Sequence, residues 1–94
     1  MERSEQLSRL FKVLSVETRV RIVQILRQRP MCVNALSSQL EVSAAAVSQH
    51  LRVLRDADVV MSDKHGYYVH YSVNTETLAK WKNLADGLLG AGPE

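Results

Sequence analysis

The chain is poor in several things that other protein classes need. Among its 94 residues there is one cysteine, two prolines, four glycines and only five aromatic residues. The single cysteine, Cys32, excludes an internal disulfide framework and a four-cysteine zinc site, and makes a reducing cytoplasm the expected compartment. No uncharged run exceeds eleven residues (30–40 and 65–75). A membrane span needs about 18 or more, so no membrane partner is expected. The first five residues hold no apolar stretch, which argues against secretion. Gly, Ser and Pro nowhere accumulate into a linker, and no repeat occurs, so residues 1–94 read as one domain. That length excludes large enzymes and dinucleotide-binding folds. There is no Ser/His/Asp set, no carboxylate pair and no phosphate-cradling glycine loop. No enzyme, catalytic residue or cofactor is expected.

What is present is aliphatic and unevenly charged. The hydrophobic fraction is 46%, and with so few rings the core falls to Leu, Val, Ile and Ala. A chain of this size buries only about 60–65% of its unfolded surface, so that core is thin. The net charge is +2, but residues 9–29 place Arg9, Lys12, Arg19, Arg21, Arg27 and Arg29 against Glu17 alone. Residues 43–73 balance Arg52, Arg55 and Lys64 against Asp56, Asp58 and Asp63. A basic stretch can neutralise phosphates or form a solvated helix face, and charge alone leaves both open.

Periodicity orders the elements. Leu7, Leu10, Phe11 and Leu14 fall at i, i+3, i+4 and i+7, which predicts a helix over 5–14. A second helix is expected from Ser15, as N-cap, to about 28, with Glu17 in its first turn and Pro30 stopping it. Val16, Val20, Val23 and Leu26 would line its buried face, with Ile22 and Ile25 beside them. A short third helix covers 33–40, with Val33, Leu36 and Leu40 inward. After a break at 41–43, Ser43 caps a fourth helix over 44–57, whose core stripe is Val47, Leu51 and Leu54. Two β-rich runs follow, 59–63 and 67–73, around a turn at Lys64-His65-Gly66. In the second run Tyr67, Val69, Tyr71 and Val73 share one face, and Tyr68, His70 and Ser72 the other. His65 and His70 would lie on opposite faces or at the tip, a poor metal pair. Asn74 or Thr75 caps a last helix over 76–89, with Leu78, Trp81, Leu84, Ala85 and Leu88 as its apolar stripe.

The order α-α-α-α-β-β-α is mainly helical with a β-hairpin, which describes a winged helix-turn-helix. The second helix of such a pair fits a major groove about 12 Å wide. Ala44 and Ala45 permit close approach of its N-terminus, where Ser43 and free N–H groups suit a phosphate. Ser48 and Gln49 point outward, as base readers or as solvated residues. Gln pairs bidentately with adenine. Arg52 and Arg55 are DNA contacts or surface ion-pair partners of Asp56 and Asp58. Lys64 and His65 at the wing tip are candidate phosphate contacts. His50 lies at the core boundary, read as a packed, hydrogen-bonded residue ahead of a base reader. Tyr67 and Tyr71 are expected to pack the wing onto the core.

Three stretches then resemble the ArsR/SmtB family of small bacterial winged-helix repressors. They are Leu14-Ser15-Val16-Glu17-Thr18-Arg19-Val20-Arg21-Ile22, the recognition-helix segment from Val42 through Ser43, Ser48, Gln49, His50 and Leu51 to Leu54, and the wing segment from Gly66 through Tyr71 to Val73. The resemblance covers about residues 6–90. It implies a homodimer built on the first and last helices, two recognition helices on an imperfect palindrome of double-stranded DNA, and a small effector that weakens binding. The interface candidates are Leu7, Leu10, Phe11, Leu78, Trp81, Leu84 and Leu88, whose apolar area exceeds what one small core covers. They could also simply cap the monomer's core.

The chain departs from the family pattern in three places. The metalloid-sensing Cys-Val-Cys reads Cys32-Val33-Asn34 here, and Ser37 stands where a further Cys can occur. The last helix has Glu76 and Asp86 as its only acids and no histidine, so the usual metal-ligand sets are missing and no metal site is expected. Glu41 and Asp58 replace the glycines that usually end the third and fourth helices, so strain or a changed turn is expected at Glu41. The resulting expectation is a sequence-specific, dimeric, DNA-binding repressor. The rivals are a thiol- or metal-responsive sensor using Cys32, otherwise a small half-buried hydrophobe, and a winged helix used for protein–protein contact.

Overall fold

The computed structural model describes residues 2–90, and all elements named here lie within them. They run α1 (Arg3–Val13), α2 (Glu17–Leu26), α3 (Val33–Leu40), α4 (Ala44–Asp56), β1 (Val60–His65), β2 (Tyr68–Val73) and α5 (Thr75–Leu89). The winged helix-turn-helix expected from element order is the observed architecture. The tail at 91–94 lies outside the described residues.

The core is aliphatic, as the scarcity of rings requires. Ile22, Leu36, Val47, Leu51, Leu54, Val59 and Val60 are sealed from solvent. They come from α2, α3, α4 and the start of the wing, so the helix-turn-helix pair rests directly on the core. Ile22 sits at the centre of the buried face of α2, and Val20 and Val23 are only half-buried. The stripe is therefore rotated from the expected one.

Caps explain the shifted boundaries. The Glu2 carboxylate accepts the Ser4 N–H at 3.0 Å, so α1 begins at Arg3, two residues before the expected start. Ser15 is not the cap of α2. Its hydroxyl donates to the Lys12 carbonyl at 2.8 Å, finishing α1, and Val16 takes the cap position with no side-chain bond. Asn74 caps α5, accepting the Thr77 N–H at 3.3 Å.

Both helix ends without glycine adopt the left-handed conformation. Glu41 has φ 58° and ψ 40°, and Asp58 has φ 62°. The turn after α3 is thus unchanged, and the residue takes the unfavourable backbone itself. At the end of α4 the Asp58 N–H reaches the Arg55 carbonyl and the Val59 N–H reaches the Leu54 carbonyl, both at 2.9 Å. This is the Schellman pattern, with sealed Val59 and Leu54 in its hydrophobic positions. A non-glycine residue in this region costs about 1–2 kcal/mol, partly offset by the greater chain entropy that glycine loses on folding. Glu41 is exposed. Glu41→Gly is therefore expected to stabilise the fold by about 1 kcal/mol, raising Tm by roughly 4–8 °C in a melt followed by circular dichroism.

The wing differs from the expected hairpin in its turn. β1 and β2 pair antiparallel from Val60 opposite Val73 to His65 opposite Tyr68, leaving Gly66 and Tyr67 as a two-residue turn. Gly66 has φ 64°, the sense that a tight hairpin needs at its first central position. Lys64 and His65 are thus ladder residues and not turn residues. A two-residue loop also sets which residues share a face. Asp63 opposite His70 and His65 opposite Tyr68 lie on one face, so the two histidines are neighbours, with ring centroids 5.0 Å apart. Tyr67 does not pack the wing onto the core, because the turn leaves it fully exposed. A further pairing was not legible in the chain. Met31, just after Pro30, pairs with Tyr71 through two backbone hydrogen bonds of 3.0 and 2.8 Å, which moors the wing to the segment before α3.

Candidate nucleic-acid interface

The helix-turn-helix is locked by two serines. Ser43 Oγ accepts the Ala46 N–H at 3.1 Å, supplying the cap of α4. Ser37 Oγ donates to the Val42 carbonyl across the break, and the Val42 N–H returns to the Ser37 carbonyl at 3.3 Å. Ser37, which stands where the family can carry a further Cys, is thus a turn clamp.

With Val47, Leu51 and Leu54 inward, α4 presents Ser43, Ala44, Ala45, Ser48, Gln49, Arg52 and Arg55 to solvent. Neither arginine pairs with Asp56 or Asp58, and among the described residues both heads lack a salt-bridge partner. That removes the ion-pair reading of Arg52 and Arg55. A groove of about 400 Å³ runs between this helix face and the wing, lined by Ala45, Ser48, Gln49, Arg52, Arg55 and Tyr71. Tyr71 does pack against the core, as expected, and also lines this groove. Sequence reasoning missed that second role, although strand alternation had already separated it from His70.

The wing residues are divided. Lys64 and His65 are both exposed, but they lie on opposite faces of the hairpin. Lys64 shares the face of Tyr71, the side of the groove. His65 Nε2 lies 3.2 Å from the Asp63 carboxylate on the other face. Among the described residues no group of three or more His, Cys, Asp or Glu is placed to hold a metal. Cys32 is half-buried at the N-cap of α3, with no cap bond, beside a small cavity of about 170 Å³ that includes Asn34, Tyr68 and Val69.

Behind the reading face, Arg19 Nε donates to His50 Nδ1 at 3.3 Å, and Arg19 Nη1 donates to the Val13 carbonyl at 3.0 Å. Burial, and then the Arg19 charge, push the His50 pKa below the ordinary 6.5. The unfolded state therefore binds this proton more readily. The contribution of His50 to stability is complete above pH 6.5 and is lost as pH falls through its lowered value. Acidification from pH 7.5 to 5 is expected to lower Tm in the wild type, and His50→Gln should lose that part of the slope. An unchanged slope in the variant would assign the pH dependence to other groups.

The terminal helices pack on each other, and their apolar residues are unequally placed. Leu10 is buried within the monomer, and Leu7, Leu78, Trp81 and Leu84 are half-buried. Phe11, Leu88 and Leu89 are 41%, 57% and 70% exposed. Leu89 was not among the residues singled out from the sequence.

Residues 17–62 match the model of the bacterial regulatory protein arsR family. The chain is 32% identical over 87 residues to the arsenic resistance transcriptional regulator ArsR1 of Pseudomonas putida, covering 90% of this chain and 67% of that one. The chain belongs to the ArsR family. Another relative is the transcriptional repressor SdpR of Bacillus subtilis, 29% identical over 72 residues, covering 77% of this chain and 80% of that protein. Among solved structures, reduced HlyU from Vibrio cholerae superposes with a TM-score of 0.74 at 34% identity, covering 94% of this chain and 93% of that one. Membership in the ArsR family makes this chain a DNA-binding transcriptional regulator. The matched segment spans α2 through the start of β1, which contains the helix-turn-helix and the outward face of α4. No helix among the described residues is long and apolar enough to cross a membrane.

Proposed function

We propose that this ArsR-family protein is a homodimeric repressor that reads an imperfect palindrome in double-stranded DNA. The observation that carries the reading is that Arg52 and Arg55 are exposed and, among the described residues, without a salt-bridge partner, on the face of α4 that also presents Ser48 and Gln49. In this reading Ser43, Ala44 and Ala45 seat the helix N-terminus against a phosphate, Ser48 and Gln49 meet base edges, and Arg52 and Arg55 supply positive charge. Lys64 contacts the backbone from the groove side of the wing, and His65 from its far side. Phe11, Leu88 and Leu89 supply the exposed part of a dimer face, with Leu7, Leu78, Trp81 and Leu84 behind them and Leu10 anchoring α1 beneath. An unidentified small effector would act by favouring a dimer whose recognition helices are wrongly spaced for half-sites about 34–36 Å apart.

Selection of bound duplexes from a random pool, followed by a salt titration on the winner, tests this directly. A two-fold-related pair of half-sites and a steep fall of affinity with salt are expected. Gln49→Ala should relax base preference at one position in each half-site, by about 1–3 kcal/mol of discrimination. An equal loss on every sequence would remove Gln49 from direct readout. A flat salt response, or no duplex recovered, would favour a protein-contact role for the winged helix.

A further inference from the structure

We propose that Arg19 is a positioning residue for DNA recognition, holding His50 in the Nε2–H tautomer and tying α4 to the end of α1. The role in recognition rests on the DNA-binding reading above. The link itself rests on geometry alone.

Arg19 lies in the first turn of α2 and is half-buried. Its guanidinium has donors and no acceptor. The 3.3 Å bond from Nε to His50 Nδ1 therefore requires a lone pair on Nδ1. The imidazole proton is left on Nε2, across the ring from Arg19. A doubly protonated ring would set N–H against N–H and cation against cation, so the arrangement holds only for neutral His50. His50 follows Gln49 on the exposed face and precedes sealed Leu51. Fixing its ring at this boundary fixes the rotation of α4 about its own axis, and with it the direction of Gln49 and Arg52.

The second bond extends the link. Arg19 Nη1 donates to the carbonyl of Val13, the last residue of α1. The final carbonyls of a helix have no partner within it, so this one is available to a cation and sits at the negative end of the helix dipole. One guanidinium thus joins α1, α2 and α4. The exposed Phe11 lies two residues before Val13 on α1. A shift of α1 therefore pulls on the same side chain that holds the reading helix. Lysine keeps the charge but lacks the fixed planar fork that serves both acceptors at once.

The test combines nitrogen-15 imidazole spectra of the free protein with affinity for the selected duplex at one salt concentration. Wild-type His50 is expected to be the neutral Nε2–H tautomer at neutral pH. In Arg19→Lys the tautomers should mix, and affinity should fall about tenfold, the scale of one charged hydrogen bond. His50→Leu should fall by a similar factor, and the double variant should be no weaker than the weaker single one. His50→Gln, whose amide accepts at one atom and donates at another, should stay within about threefold of wild type. A merely structural role would move melting temperature and leave the tautomer untouched. An Nδ1–H or charged His50 in the wild type, unchanged binding by Arg19→Lys, or additive losses would each overturn the proposal. The wild-type spectrum needs no variant to fold. If the wild type binds no duplex, the DNA reading and the role in recognition fall together, while the spectrum alone decides the Arg19–His50 link.

Discussion

Leu51→Ala is expected to destabilise the fold by about 3–4 kcal/mol, measured by urea unfolding. Leu51 is 1% exposed and stands midway along the stripe that seats α4, between Val47 and Leu54. Truncating a buried leucine loses its transfer free energy and leaves a cavity, together about 2–5 kcal/mol. The site resists collapse, because its neighbours belong to different elements held by the turn clamp at Ser37 and the Schellman end at Asp58. A domain of this length has a total stability of order 5–14 kcal/mol, so the loss is a large part of it. Tm should fall by more than about 10 °C. Because α4 is also the reading helix, DNA affinity should fall in step with the folded fraction. A loss below about 1 kcal/mol would mean that the stripe does not sit in the core.

Arg52→Glu should leave stability within about 0.5 kcal/mol of wild type and reduce DNA affinity by roughly 100-fold near 0.1 M salt. Arg52 is exposed and has no salt-bridge partner among the described residues, so reversing it breaks no ion pair within the fold. Against a phosphate lattice the change removes one attraction and adds one repulsion, present twice in a dimer. The slope of log affinity against log salt should become shallower by about one for each phosphate that is no longer neutralised. Fluorescence anisotropy with a labelled duplex measures both quantities. Affinity within threefold of wild type, with an unchanged slope, would place the interface elsewhere on the molecule.

The contrast between these residues and the wing shows where local pattern ceases to inform. The stripe of α4 is a period-3.6 repeat in one helix, so Leu51 inward and Arg52 outward follow from spacing alone. The caps at Ser43 and Asn74 were equally local, since each needs only a short polar side chain ahead of a helical run. Ser15 misled because two helix ends compete for it, and its hydroxyl finishes α1 instead of starting α2. The wing turned on its register, with Asp63 opposite His70 and not opposite Tyr67. Moving the turn from Lys64–Gly66 to Gly66–Tyr67 left Lys64 on the groove face, put His65 opposite it and brought His65 beside His70. Strand side chains alternate with period two, so every assignment beyond the turn depends on where it falls.

Helix order, the core stripe of α4, the helix-turn-helix with its hairpin and the outward composition of α4 were all legible in the chain, because each rests on interactions within a few residues. The mooring of Met31 to Tyr71, the service of Tyr71 to both core and groove, the burial of Leu10 and the arginine that joins Val13 to His50 were not. They bring together groups 6 to 40 positions apart, and no local periodicity encodes such distances. They exist because the aliphatic core sets how the helices and the wing lie against one another, which brings those polar groups within reach.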